Sequence, residues 1–237
     1  MRDDASAIAI ETLTGSMPAR LWLPANGSGP GIVLVHEVFG ISDYINSRAQ
    51  DLADLGYVVC VPEVFWRLPD HDIDWSRTDV LQQAIGIVGR LDWSLAVQDV
   101  HAALDSLRSQ AEVAGGVGLV GFCFGGGLAF NVAAVSDPDV LVSYYGSALP
   151  GLIALAEQVT APSLHHFGLA DDYLSRPTVE TLTEQLRDNG ARVETYPDAN
   201  HAFDNTSPAF YNVLAAEQAW ATTVEFLGAH LSTKLSN

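Results

Sequence analysis

Cys123 is one of only two cysteines in the chain, and its neighbours set it apart. It stands in Gly121-Phe122-Cys123-Phe124-Gly125, directly after the apolar run Gly116–Val120 and ahead of Gly126 and Gly127. A Gly-x-nucleophile-x-Gly turn between a strand and a helix holds its central residue in a strained conformation, so close neighbours must lack a Cβ. Such a turn lifts the sulfur above the sheet and places it at a helix N-terminus, where the dipole favours thiolate over thiol. It also leaves the Phe124 backbone N–H free to stabilise an oxyanion. The same glycines admit a plain packing turn, or half of a dinucleotide fingerprint. The fingerprint needs Gly-x-Gly-x-x-Gly after an early strand, with an acid ending the next one, and this mid-chain turn does not fit. Cys60, inside the apolar stretch Tyr57–Val61, reads as a small core side chain, and no disulfide framework is expected.

A thiol nucleophile needs a base, and the base needs a group to orient it. On a sheet with a nucleophile elbow the chain order is nucleophile, acid, histidine. The run Ser163–Phe167 is followed by Gly168-Leu169-Ala170-Asp171-Asp172, and Val193–Tyr196 by a loop containing His201-Ala202-Phe203. Asp171 is therefore the expected acid, with Asp172 as its substitute, and His201 the expected base. Both follow candidate strands, and catalytic groups collect at the carboxyl ends of parallel strands. His36 and Glu37 follow Gly31–Val35 and should face the same crevice. Glu37 is expected either to hydrogen-bond the Cys123 thiol or its base, or to be a satisfied polar group in a turn. The Val38 N–H is a candidate second oxyanion donor. No ligand spacing supports a metal site built from His36, Glu37, His165 and His166, so no metal and no cofactor are expected.

The elements that must carry these residues alternate along the chain. Candidate strands are Ala19–Leu23, Gly31–His36, Tyr57–Val61, Gly116–Gly121, Val140–Tyr145, Ser163–Phe167 and Val193–Tyr196. Several are continuously apolar, as in strands covered on both faces. Helices are expected from Ser42 to Leu55 with Gly56 as a stop, from Asp92 to Ser109, from Pro177 to Asn189 with Gly190 as a stop, and from Pro208 to Leu231. The segment Arg67–Arg90 is the least regular and is expected to run over the sheet's edge as a lid or substrate-contacting loop. The pattern predicts one α/β domain over residues 1–237, with a mostly parallel central sheet and helices on both faces.

Charge narrows the partners. The chain carries 11 Lys and Arg against 29 Asp and Glu, a formal net charge of −18. Nucleic-acid binding relies on cations neutralising phosphates, and this field repels polyanions and anionic membranes alike. An anionic substrate needs a local basic pocket. The stretch Met1–Glu11 lacks the long apolar core of a signal peptide, and no apolar run is long enough to span a bilayer. A cytoplasmic enzyme acting on small molecules, as a monomer or homodimer, is the expectation.

With these residues in place, the chain resembles the dienelactone hydrolase family of the α/β-hydrolase superfamily from Ile32 to about Leu227. The resemblance rests on Val35-His36-Glu37-Val38-Phe39-Gly40, Gly56-Tyr57 leading to Pro62-Glu63, the Cys123 elbow, Tyr144-Tyr145-Gly146, Phe167-Gly168-x-x-Asp171 and His201-Ala202-Phe203. It implies a Cys123–Asp171–His201 triad that hydrolyses small esters or lactones through a thioester, with oxyanion donors at the Val38 and Phe124 amides. It also implies that Glu37 partners the resting thiol and moves away when substrate binds. Phe65, Trp66, Arg67 and Tyr145 are implied as pocket residues. Two arginines that bind a substrate carboxylate in the family fall on Leu81 and Asn205, and aromatic contacts fall on Ile85 and Val88. The expected pocket is therefore more apolar and less cationic. Two alternatives share the fold: hydrolysis of another electrophile such as a phosphotriester, and a non-catalytic binding protein.

Overall fold

The computed structural model describes residues 5–231, so the ends of the 1–237 span and the first residues of Met1–Glu11 lie outside it. Eight strands form one sheet: β1 Ser6–Thr12, β2 Gly15–Trp22, β3 Gly29–Val35, β4 Val58–Pro62, β5 Val113–Phe122, β6 Leu141–Tyr144, β7 Ser163–Gly168 and β8 Arg192–Tyr196. Their order across the sheet is β1-β2-β4-β3-β5-β6-β7-β8. β1 and β2 are antiparallel to their neighbours, and β3 to β8 pair in parallel. β3 is buried at every residue and lies between β4 and β5, which explains its unbroken apolar sequence.

The helices follow their capping signals. α1 (Asp43–Asp54) starts at Ser42, whose side chain accepts from the Ile45 N–H, and Gly56 follows its end at φ 103°. α2 (Val80–Val88) lies inside the irregular excursion. α3 (Trp93–Arg108) is capped by Asp92, and α4 (Phe124–Val135) begins at the elbow. A short α5 (Leu149–Leu152) runs into a 3-10 turn, and α6 (Arg176–Asp188) is capped by Ser175. α7 (Val213–His230) begins five residues later than the sequence predicts, because Asn212 supplies the cap and accepts from the Ala215 N–H.

Alternation along β6 and β7 shows the two helical layers. A Cβ on Gly126 of α4 would meet the Ser143 hydroxyl, whereas the next residue, Tyr144, hydrogen-bonds Thr223 of α7 at 2.7 Å. His165 lies against Phe130 of α4, while His166 bonds Thr223 at 3.0 Å. The two adjacent histidines thus point to opposite faces and cannot converge on one ion. Burial lowers both to about 3, so each is neutral. Among the described residues no helix is long and apolar enough to cross a membrane.

Candidate active site

The carboxyl ends of β3, β5, β7 and β8 bring the expected residues together. Cys123 sits between β5 and α4 at φ 53° and ψ −116°, a left-handed conformation costly for a residue with a side chain. The glycines make it sterically possible. A Cβ on Gly121 would strike the Gly125 carbonyl, and one on Gly125 would strike the carbonyl oxygens of Val35 and His36. The helix start is therefore pressed against the end of β3.

The His201 ring joins the Cys123 thiol to the Asp171 carboxylate. Its Nε2 lies 3.0 Å from the Cys123 Sγ, and its Nδ1 lies 2.7 Å from an Asp171 carboxylate oxygen. The other Asp171 oxygen accepts from the Tyr173 and Leu174 N–H groups at 2.7 and 2.9 Å, which fixes the carboxylate's orientation. All three side chains are buried. Burial alone would depress the His201 pKa, but the bonds to Asp171 and Cys123 outweigh it and push it up to about 10. The ring is thus disposed to carry a proton beside the sulfur. Asp172, the alternative acid, is exposed and instead accepts from the Asn200 side chain at 2.7 Å.

The loops bearing acid and histidine are stitched to each other. The Leu169 N–H donates to the Tyr196 carbonyl and the Ala170 N–H to the Ala199 carbonyl. A Cβ on Gly168 would collide with that Ala199 carbonyl, so glycine permits the approach. Beyond His201, Ala202 is held at φ 56° and Asp204 is fully buried. Asp204 accepts from Arg48 at 2.7 and 2.8 Å and from the Tyr44 hydroxyl at 2.6 Å, tying the histidine loop to α1.

Of the two readings of Glu37, the hydrogen bonding matches the satisfied polar group and not a partner of the resting thiol. It is 1% exposed, and its Oε1 accepts from the Asn205 side chain at 2.9 Å, whereas the thiol's partner is His201. The Ser207 N–H donates to Asn205 Oδ1, which sets the amide so that its nitrogen faces Glu37. Burial raises the Glu37 pKa to about 7, against the opposing pull of Asn205 and His201. Neighbouring His36 is structural: its Nε2 accepts from the Val64 N–H, and its Nδ1 meets the Glu37 carbonyl.

A cavity of about 500 Å³ opens over Cys123 and His201. Val38, Phe39, Leu81, Ile85, Val88, Trp93, Phe124 and Phe210 form much of its wall, and no Lys or Arg lines it. Leu81, Ile85 and Val88 come from α2, so the excursion supplies an apolar side of the cavity. The Phe124 N–H belongs to the first turn of α4, where no intrahelical acceptor exists.

Five expected pocket residues do not line this cavity. Arg67 turns away to pair with Asp99 at 2.7 Å and stacks over Trp66, because the buried Asp99 needs a cation. The Trp66 indole N–H donates to the same carboxylate. Phe65 is buried behind the site against His36 and Phe124. Tyr145, at φ 38°, packs its ring 5.2 Å from that of His201 and supports it from behind. Asn205 engages Glu37, as described, and lines a neighbouring cavity.

Sequence reasoning passed over Ser147, whose hydroxyl is 3.9 Å from the Cys123 sulfur, and Tyr173, whose ring meets His201 edge-on at 4.9 Å. Ser147 follows β6, so the rule that found Asp171 applied to it as well. Nothing local marks Tyr173. Among the described residues no group of three His, Cys, Asp or Glu side chains is placed to hold a metal ion.

Comparison with known proteins places the chain in a family. The model of the dienelactone hydrolase family matches residues 17–231. Carboxymethylenebutenolidase of Pseudomonas putida is 33% identical, covering 96% of this chain and 98% of its own. Carboxymethylenebutenolidase 1 of Cupriavidus pinatubonensis is 31% identical, covering 90% of this chain and 92% of its own. A dienelactone hydrolase-like promiscuous phosphotriesterase from metagenomic libraries superposes with a TM-score of 0.77 at 25% identity, over 96% of this chain and 98% of that one.

Proposed function

The chain belongs to the dienelactone hydrolase family and is a hydrolase of lactones or esters; from that premise we propose that Cys123, Asp171 and His201 form its triad and act on small uncharged esters or lactones. The observation that carries this reading is the His201 ring, 3.0 Å from the Cys123 sulfur and 2.7 Å from Asp171. The thiolate attacks the carbonyl carbon, and the developing oxyanion is held by the Phe124 and Val38 amides. The C–O bond breaks, the leaving oxygen takes the proton from the His201 imidazolium, and the acyl group remains on Cys123 as a thioester. His201, oriented by Asp171, then draws a proton from water, which attacks the thioester and releases the acid.

Substrate charge follows from the walls. No Lys or Arg lines the cavity, the charge of a protonated His201 is matched by Asp171 and the Cys123 thiolate, Glu37 stands beside it, and the whole chain carries −18. A substrate carboxylate would lose its hydration without a partner. Uncharged esters and lactones are therefore the preferred class, and those with weakly basic leaving groups react best, because a thiolate is itself readily expelled from the tetrahedral intermediate.

The likeness to a phosphotriesterase favours a second electrophile at the same sulfur. Both readings are tested by following p-nitrophenyl acetate and paraoxon with the native chain and with Cys123→Ala. The acetate rate should fall more than about a thousandfold in the variant. Equal rates in both proteins would remove Cys123 from the chemistry. Paraoxon turnover lost in the same variant would add the phosphotriester activity.

A further inference from the structure

Asp204, three residues after His201, is a fully buried carboxylate to which the triad reading gives no part. Its two oxygens accept from Nε and a terminal nitrogen of Arg48 at 2.8 and 2.7 Å, a fork that fixes the plane of the carboxylate. The Tyr44 hydroxyl gives its only proton to the same carboxylate at 2.6 Å. The Tyr145 hydroxyl, 3.3 Å from that of Tyr44, must then be the donor between the two. One path of hydrogen bonds thus runs from Arg48 through Asp204 and Tyr44 to Tyr145, whose ring lies against that of His201 with centres 5.2 Å apart. The Arg48 guanidinium is itself held, over the ring of Trp220 in α7 at 4.4 Å and against Asp51 at 2.9 Å.

Two strained residues border the His201 ring. Ala202, next along the chain, stands at φ 56°, and Tyr145, against the ring, at φ 38°. Left-handed backbone is costly for a residue with a side chain and persists only where the surroundings over-determine it. Both residues lead to Asp204, Ala202 through the chain itself and Tyr145 through the Tyr44 hydroxyl. We propose that Arg48, Asp204 and Tyr44 are positioning residues, which hold the His201 ring at the angle from which its Nε2 protonates the leaving oxygen. The inference rests on the triad reading above and adds to it residues that touch neither sulfur nor substrate. The Arg67–Asp99 pair supplies the contrast. It is the same fork on a buried carboxylate, but its further partners are Trp66, Thr12 and Thr14.

Phenyl acetate and p-nitrophenyl acetate test this, since they share an acyl group and differ in how much the departing oxygen needs a proton. Their kcat/KM values report acylation, and the ratio of the two reports proton delivery by His201. Arg48→Met should raise the ratio of p-nitrophenyl to phenyl acetate on the order of tenfold, as for a displaced acid. Arg48→Lys, which keeps the cation but loses the fork, should fall between the native chain and Arg48→Met. Tyr44→Phe cuts the path to Tyr145 and leaves the ion pair in place. It should raise the ratio severalfold, and it serves if Arg48→Met does not fold. Arg67→Ala, a loss of the same kind of pair elsewhere, should leave the ratio at its native value. A ratio that stays native in Tyr44→Phe and in every Arg48 variant that folds overturns the proposal, as does an equal rise in Arg67→Ala. Turnover that survives in Cys123→Ala would overturn the triad reading, and the proposal with it. Loss of turnover there beside an unchanged ratio overturns the proposal alone.

Discussion

Glu37 is a carboxylate almost without access to water, and its one hydrogen-bond donor is a neutral amide. Its pKa, raised by burial to about 7, makes it a reporter of its own environment. The sign is fixed by linkage: below about 4.5 both folded and unfolded states hold the proton, and as pH rises to about 7 the folded state keeps a proton that the unfolded state releases. Stability contributed by protonated Glu37 is therefore full below that window and is lost as pH rises through 7. From model value to folded value the loss is on the order of 3 kcal/mol. Chemical denaturation at pH 5 and pH 8 should show Glu37→Gln losing less stability across that interval than the native chain. Equal losses would contradict a buried, ionising Glu37. At the same scale, His201→Ala should slow iodoacetamide alkylation of Cys123 at pH 7 on the order of tenfold or more, because the sulfur loses its proton acceptor. Cys60 is buried and its thiol is pushed up to about 12, so it should not compete for reagent.

At the scale of elements, the site depends on close approaches that only glycine allows. Gly168→Ala should destabilise the chain by about 2 kcal/mol or more and lower activity with it, since the new Cβ meets the carbonyl that joins the acid and histidine loops. Thermal unfolding beside ester turnover measures both, and an unchanged melting temperature would refute the contact. The buried strands were legible because β3, β4 and β5 are continuous apolar runs, and the grouping of Cys123, Asp171 and His201 because chain order and strand ends constrain three residues jointly. β1 escaped notice because it is an edge strand with only Ile10 buried, so its sequence carries little pattern. Arg67 was drawn to the pocket by the family resemblance alone, and the carboxylate it pairs with, Asp99, lies 32 residues further along the chain, where no local pattern links the two. Arg67→Ala should leave ester turnover within about twofold, yet cost about 2 kcal/mol or more by stranding that buried carboxylate. A loss of turnover without loss of stability would restore Arg67 to the site.

For the whole molecule, a net charge of −18 and a cavity lined by no Lys or Arg act in the same direction on substrate choice. Long-range repulsion is screened by salt, and the Debye length shortens from about 30 Å at 0.01 M to about 8 Å at 0.15 M. Across that interval kcat/KM for a carboxylate-bearing ester should rise, while that for an uncharged ester of equal leaving-group acidity stays flat. Parallel salt responses would mean that the molecular field does not reach the site. Even in high salt the uncharged ester should remain preferred, because the local absence of Lys and Arg is not screened away.

The proposed mechanism passes through a thioester on Cys123, and trapping it is the most direct test. p-Nitrophenyl acetate is mixed with the native chain, quenched with acid during turnover, and the protein is mapped by peptide mass spectrometry. Acetyl found on Cys123, and released by hydroxylamine, is the predicted result. Acetyl on another residue, or steady turnover with Cys123 never modified, would contradict the account.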